Sequence, residues 1–181
     1  MWNKLSSKTL FSHPRITLIE DEVELSNGQK TNYLRFDNIS NVVAVIGKRE
    51  DGKILMQREY AYPPNQKLFQ FPGGAINLNE NLESGANREL REESKLKANN
   101  LKFLGKFLIN NRRSDAMVYT YLGTDLVESY LDSDIEEEIE NFWFSEEEIT
   151  DMIREGKIIE QDALASWAMY LSQEKYKLVS N

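Results

Sequence analysis

The sequence predicts a single α/β chain of the α+β kind, in which strands outnumber helices. Three observations predict it. Short apolar runs bounded by turn residues recur between residues 15 and 71. A four-residue apolar period appears at Leu82, Ala86 and Leu90. Two further helical stretches follow the last strand signal, the first opened by a capping pattern at Ser145. With 181 residues the chain can bury one real core and carry a small appended element, and no repeat or long linker divides it.

Residues 15–37 alternate in the manner of a strand pair (Ile16, Leu18, then Val23, Leu25) around Ser26-Asn27-Gly28-Gln29. The Asn-Gly pair suits a tight hairpin turn, so residues 1–40 are read as an N-terminal β-element, a meander. The apolar runs Val42–Ile46 and Ile54–Gln57 flank Asp51-Gly52, another hairpin signal, and are expected to be buried strands. Leu68–Phe71 continues into Pro72-Gly73-Gly74, where glycine would permit a sharp turn through positive φ. Asn81 is the expected N-cap of a helix whose stripe of Leu82, Ala86 and Leu90 faces the core. Leu101–Ile109, Met117–Leu122 and Asn141–Phe144 read as strands. Ser145 to Glu148 is a capping box for a helix closed by Gly156, and Gln161–Gln173 suits a last helix. Residues 41–175 form the main domain and 176–181 a tail.

Composition narrows the chemistry. Lys and Arg number 22 against 30 Asp and Glu, a formal charge of -8 with no long basic cluster, which argues against a nucleic-acid binder. An anionic ligand would then need a metal ion or a few placed arginines. There is no Cys and only His13, so disulfides, thiolate zinc sites and Cys nucleophiles are excluded and any metal must be held by oxygen. Neither a signal-peptide core nor an apolar run of about 18 residues occurs, and a cytoplasmic protein with no membrane association is expected.

The stretch from Gly74 to Leu96 carries five Glu. Glu89, Glu92 and Glu93 fall within about one helical turn, where like charges repel. One reading is a solvated face laced by Arg88 and Arg91. The other is a divalent-cation site, because hard cations such as Mg²⁺ seek carboxylate oxygens, and the Gly-Gly turn upstream could add backbone carbonyls.

The spacing Gly74, five residues, Glu80, seven residues, Arg88-Glu89-Leu90, one residue, Glu92-Glu93 resembles the Nudix box, G-x5-E-x7-R-E-U-x-E-E-x-G-U with U aliphatic. Lys95 stands at the last glycine and Leu96 fits the final position. The strand order, the Pro72-Gly73-Gly74 lead-in and Glu155-Gly156-Lys157-Ile158 look like the ADP-ribose pyrophosphatase branch of that family. The resemblance implies an α/β/α sandwich with a mixed sheet. It also implies hydrolysis of a nucleoside diphosphate linked to another group, with Mg²⁺ or Mn²⁺ as cofactor. By similarity, Glu89, Glu92 and Glu93 are metal ligands together with the carbonyl of Gly73. Arg88 orients the carboxylates, and Gly74 and Glu80 support the box. The general base in this branch comes from a downstream loop, here Asp132–Glu138, with Glu136 or Glu137 expected; a solvated charge run is the alternative.

Arg35 is spaced like a substrate-contacting arginine of the branch. Arg58-Glu59-Tyr60-Ala61-Tyr62-Pro63 resembles its R-Q-Y-R-Y-P segment, with Ala61 in place of the second Arg. The loop after the box lacks the branch's Pro, and Arg112 and Arg113 are candidates to replace the lost phosphate contact. Tyr60 and Tyr62 could stack on a base, although strand aromatics more often pack. A lysine forced into the left-handed conformation at position 95 would cost about 1 kcal/mol, unless the helix runs on. Gly85 would allow a close approach to the helix. The alternatives are a Nudix hydrolase of dinucleoside polyphosphates or nucleoside triphosphates, and a catalytically silent nucleotide-binding module. A homodimer is expected, with the N-terminal element crossing to the second subunit.

Overall fold

The computed structural model describes residues 1–37, 39–132 and 138–177. The expected tail therefore lies outside the described residues from 178 onward. The chain divides into two compact units, residues 1–41 with 108–117, and residues 42–107 with 118–181.

The first unit holds the antiparallel sheet β1 (Asn3–His13), β2 (Ile16–Glu24) and β3 (Lys30–Asp37), in that order. The Asn-Gly turn forms as expected. Glu24 faces Lys30, Gly28 takes φ 83°, and its N–H donates to the Leu25 carbonyl at 2.9 Å. Strand β1 falls within the β-element expected over residues 1–40, but no alternation picks it out as a strand. All of its residues are exposed, so no burial period marked it.

In the second unit, the turn after β4 (Val42–Gly47) closes at Gly52, φ 85°, whose N–H donates to the Arg49 carbonyl. The two flanking strands are not a simple hairpin, however. The bridge Lys48 to Ile54 and the Arg49 N–H on the Lys53 carbonyl join them at the turn, and they then part into different sheets. Strand β4 lies between β7 (Gly73–Ala75) and β9 (Met117–Glu128), with β8 (Leu96–Leu108) beside β9. Strand β5 (Ile54–Ala61) is flanked by β10 (Ile139–Phe144) and β6 (Gln66–Gln70). The pairing of β4 with β9 is parallel and that with β7 antiparallel, so the sheet is mixed. The expected α/β class is borne out.

Burial explains the layering. Alternate residues of a strand face opposite ways. Val43, Val45 and Leu55 pack with Ala86 and Leu90 of α1 (Leu82–Ser94). Ile46, Ile54 and Met56 pack with Ile149 and Met152 of α2 (Glu146–Arg154) and Ala163, Trp167 and Tyr170 of α3 (Gln161–Lys177). Helix α1 therefore covers one face of these strands and α2 with α3 the other. Fully burying a side chain such as Leu90 stabilises by about 1.5–3 kcal/mol. No helix among the described residues is long and apolar enough to cross a membrane.

Candidate active site

Helix α1 begins where the sequence places it. The Asn81 side chain accepts from the Ser84 N–H at 2.8 Å, and Ala86 and Leu90 are buried. A Cβ on Gly85 would overlap the terminal methyl of the Ile76 side chain, so the loop before the helix lies against it. The helix does not run on at its far end. It stops at Ser94, and Lys95 takes the left-handed conformation, φ 61°, with its N–H on the Arg91 carbonyl at 3.1 Å. The Lys95 ammonium donates to the carbonyls of Glu92 and Leu131, an offset that a glycine could not provide.

Fixing α1 at both ends gathers the box around Arg88. Its Nε and Nη2 donate to the two oxygens of Glu80 at 2.9 and 3.0 Å, and Nη2 also reaches the Ala75 carbonyl at 2.8 Å. Its Nη1 donates to Glu89 at 2.7 Å and Glu92 at 2.8 Å. One guanidinium thus ties the loop to two carboxylates of the helix. The hydrogen bonds from Arg88 hold the Glu80 carboxyl below its ordinary pKa, with the Asn77 N–H adding to the effect and burial opposing it. The hydrogen bonds to Glu80, with the charge of Glu89 and the hydrogen bonds to Glu89 and Glu92, raise that of Arg88, against the effect of burial. Arg88, expected to orient the carboxylates, and Glu80, expected to support the box, stand in direct contact.

Gly73 and Gly74 serve proximity, which corrects the expected role of positive φ, since neither takes it. They form β7 opposite Ala44 and Val43. A Cβ on Gly73 would overlap the Val43 carbonyl, and one on Gly74 would stand 2.7 Å from the Glu89 carboxylate. The Gly73 N–H donates to Glu93 at 2.9 Å. Glu89 and Glu93 are each only 7 % exposed. Among the described residues no three acidic or His side chains stand in a ready metal-holding arrangement. The carboxylates are turned instead to Arg88 and to the Gly73 amide. The donor set nevertheless suits a hard divalent cation: it is all oxygen, mostly buried, and bordered at Gly74 by a backbone with no side chain in the way.

The other candidates are placed differently. Arg58 lies on the face of β5 that carries Ile54 and Met56. It pairs with Glu140 at 2.8 Å and lies over the rings of Phe142 and Phe69, at 5.3 and 5.8 Å from their centroids. Tyr60 is exposed and its hydroxyl donates to Asn65. Arg35, Arg112 and Arg113 belong to the N-terminal unit and line a common hollow there with Tyr33 and Asp37. Arg35 pairs with Asp21 at 2.7 Å, and Arg113 lies 5.5 Å over the Tyr33 ring. Glu136 and Glu137 lie outside the described residues.

Sequence reasoning missed the neighbours of the box on the sheet. Asn141, opposite Gln57 on β10, donates from Nδ2 to the Glu93 carbonyl at 2.9 Å. Gln70, opposite Gln57 on β6, donates to Glu59 at 2.7 Å. The available signal was Gln57 itself, a polar residue ending the apolar run Ile54-Leu55-Met56.

Residues 39–165 match the NUDIX domain. The chain is 26 % identical over 176 residues to the ADP-ribose pyrophosphatase of Bacillus subtilis (strain 168), covering 96 % of this chain and 94 % of that one. It is 25 % identical, with the same coverages, to the methanol dehydrogenase activator of Bacillus methanolicus. To the ADP compounds hydrolase NudE of Escherichia coli (strain K12) it is 28 % identical, over 72 % of this chain and 70 % of that one. A crystal structure of an ADP compounds hydrolase superposes with a TM-score of 0.87 at 24 % identity, over 97 % of this chain and 95 % of that chain, a likeness of fold. With the box arranged around Arg88 and the match running through most of its length, the chain belongs to the Nudix family of pyrophosphohydrolases.

Proposed function

We propose that this chain hydrolyses the pyrophosphate bond of a nucleoside diphosphate linked to another group, ADP-ribose or a sugar nucleotide first, with Mg²⁺ as cofactor, in the cytoplasm. The observation that carries the reading is Arg88, which holds Glu80, Glu89 and Glu92 at once beside the Gly73 amide that holds Glu93. The likeness to an ADP-ribose pyrophosphatase of Bacillus subtilis and an ADP compounds hydrolase of Escherichia coli supports the substrate class.

Nudix hydrolases generally work with divalent metals. Here Glu89, Glu92, Glu93 and the Gly73 carbonyl would hold the cation, which when bound neutralises phosphate charge and lowers the pKa of a water. The remaining chemistry falls to the chain. Arg88 keeps the carboxylates of Glu89 and Glu92 oriented through its hydrogen bonds. Glu136 or Glu137 takes the proton of the attacking water on a carboxylate oxygen. Arg112, Arg113 and Arg35 offer forked donors to phosphate, and the exposed ring of Tyr60 offers a surface for a base. Arg58 remains a substrate candidate only where its pairing with Glu140 yields to phosphate.

A homodimer completes the proposal, with residues 1–40 as the element that meets the second copy. Leu5, Leu10 and Phe11 on β1, with Trp2 just before it, are all exposed, which supports pairing there. Hydrolysis of ADP-ribose, sugar nucleotides, dinucleoside polyphosphates and nucleoside triphosphates, with identification of products, tests the substrate. AMP with ribose 5-phosphate from ADP-ribose supports the reading; turnover confined to triphosphates overturns it.

A further inference from the structure

A row of three carboxamides crosses one sheet, Asn141 on β10, Gln57 on β5 and Gln70 on β6, each opposite the next. Gln57 shares the face of Leu55, which packs against Ala86 and Leu90, so the row lies on the side covered by α1. Its two outer members are engaged. Asn141 donates to the Glu93 carbonyl and Gln70 to the Glu59 carboxylate. The central member is fully buried, and neither its Nε2 nor its Oε1 has a hydrogen-bond partner. Burying an unpaired amide is costly where an apolar side chain of the same size would cost nothing. Gln57 continues Ile54-Leu55-Met56, a setting that otherwise calls for such an apolar residue.

Glu93 brackets this row. Its carbonyl is held by Asn141, and its carboxylate by the N–H of Gly73, three residues beyond Gln70. We infer that Gln57 is a positioning residue for Glu93, donating from Nε2 to that carboxylate when it turns from the Gly73 amide to serve as a metal ligand. The inference rests on the proposed role of Glu93. The amide is held in reserve in the structure described and is used in the metal-loaded one. Partners of this kind, which orient a ligand without touching the ion, tune metal affinity strongly.

Gln57→Met keeps the length of the side chain and removes its donors. The expected result is a variant that melts no lower than the wild type, binds Mn²⁺ about tenfold more weakly by paramagnetic resonance titration, and loses kcat about tenfold with KM little changed. In a Glu93→Gln background the same substitution should alter Mn²⁺ affinity by less than roughly twofold, because the partner it acts through is gone. Gln57→Leu, a second apolar replacement, should behave as Gln57→Met does. Unchanged Mn²⁺ affinity and kcat in both variants would overturn the inference, as would a marked drop in melting temperature in both, which would make Gln57 a structural residue. Failure of the underlying reading looks different: wild type and Glu93→Gln would then bind Mn²⁺ equally, and the role of Gln57 would fall with it.

Discussion

Arg88 and Glu80 are joined by two parallel hydrogen bonds of 2.9 and 3.0 Å, across eight residues of chain that include the cap of α1. This fork fixes the loop to the helix and leaves Nη1 free to collect Glu89 and Glu92. Glu80→Gln keeps the shape and removes the charge, and is expected to lower stability by about 1–3 kcal/mol in denaturant unfolding. The hydrogen bonds from Arg88 lower the folded-state pKa of Glu80. Its contribution is therefore present above its ordinary value of 4.5 and lost as pH falls below it. Melting temperature measured against pH should fall on acidification in the wild type and less so in Glu80→Gln.

Gly74→Ala separates site geometry from folding. The added methyl would meet the Glu89 carboxyl group, the movable end of a side chain, at 2.7 Å. The fold should adapt, with a loss of less than about 2 kcal/mol, while kcat falls by about tenfold or more as Glu89 is displaced. Gly73→Ala would instead drive a methyl into the backbone of β4 and should fail to accumulate as folded protein. Melting curves and steady-state kinetics on the two variants check this contrast.

At Lys95 two effects oppose each other. Lys95→Gly removes the strain of a left-handed lysine, worth about 1 kcal/mol, but also the ammonium bonds to the carbonyls of Glu92 and Leu131. Stability should change by less than about 1 kcal/mol and hydrolysis should persist. Lys95→Leu keeps the strain and loses the bonds, so it should unfold at lower denaturant by about 1–2 kcal/mol.

Glu137→Gln, or failing that Glu136→Gln, is expected to lower kcat by about a hundredfold or more with Mn²⁺ binding kept, as removal of a general base requires. Wild-type turnover in both variants would remove that loop from the mechanism.

The sequence made some features legible because their signals are local. The cap at Asn81, the stripe of α1, the Asn-Gly hairpin and the capping box at Ser145 all form where spacing puts them. The box residues converge because their spacing is itself the helical geometry. Other features depend on contacts that spacing does not carry. Strands β4 and β5 read as a hairpin, but each is buried on both faces and joins a different sheet. Gly73 and Gly74 read as turn formers, yet the need is for close approach to Val43 and Glu89. The carboxamides at 57, 70 and 141 are scattered along the chain, and only strand register brings them into one row.

The most direct test compares wild type with Glu93→Gln in the hydrolysis of ADP-ribose with Mg²⁺, with AMP and ribose 5-phosphate as the measured products. Glu93 is buried at the Gly73 amide with its backbone tied to Asn141, so the substitution should leave the fold intact and remove one cation ligand. The account predicts turnover by the wild type and a loss of about a hundredfold or more in kcat for the variant. Equal activity in the two proteins would contradict it.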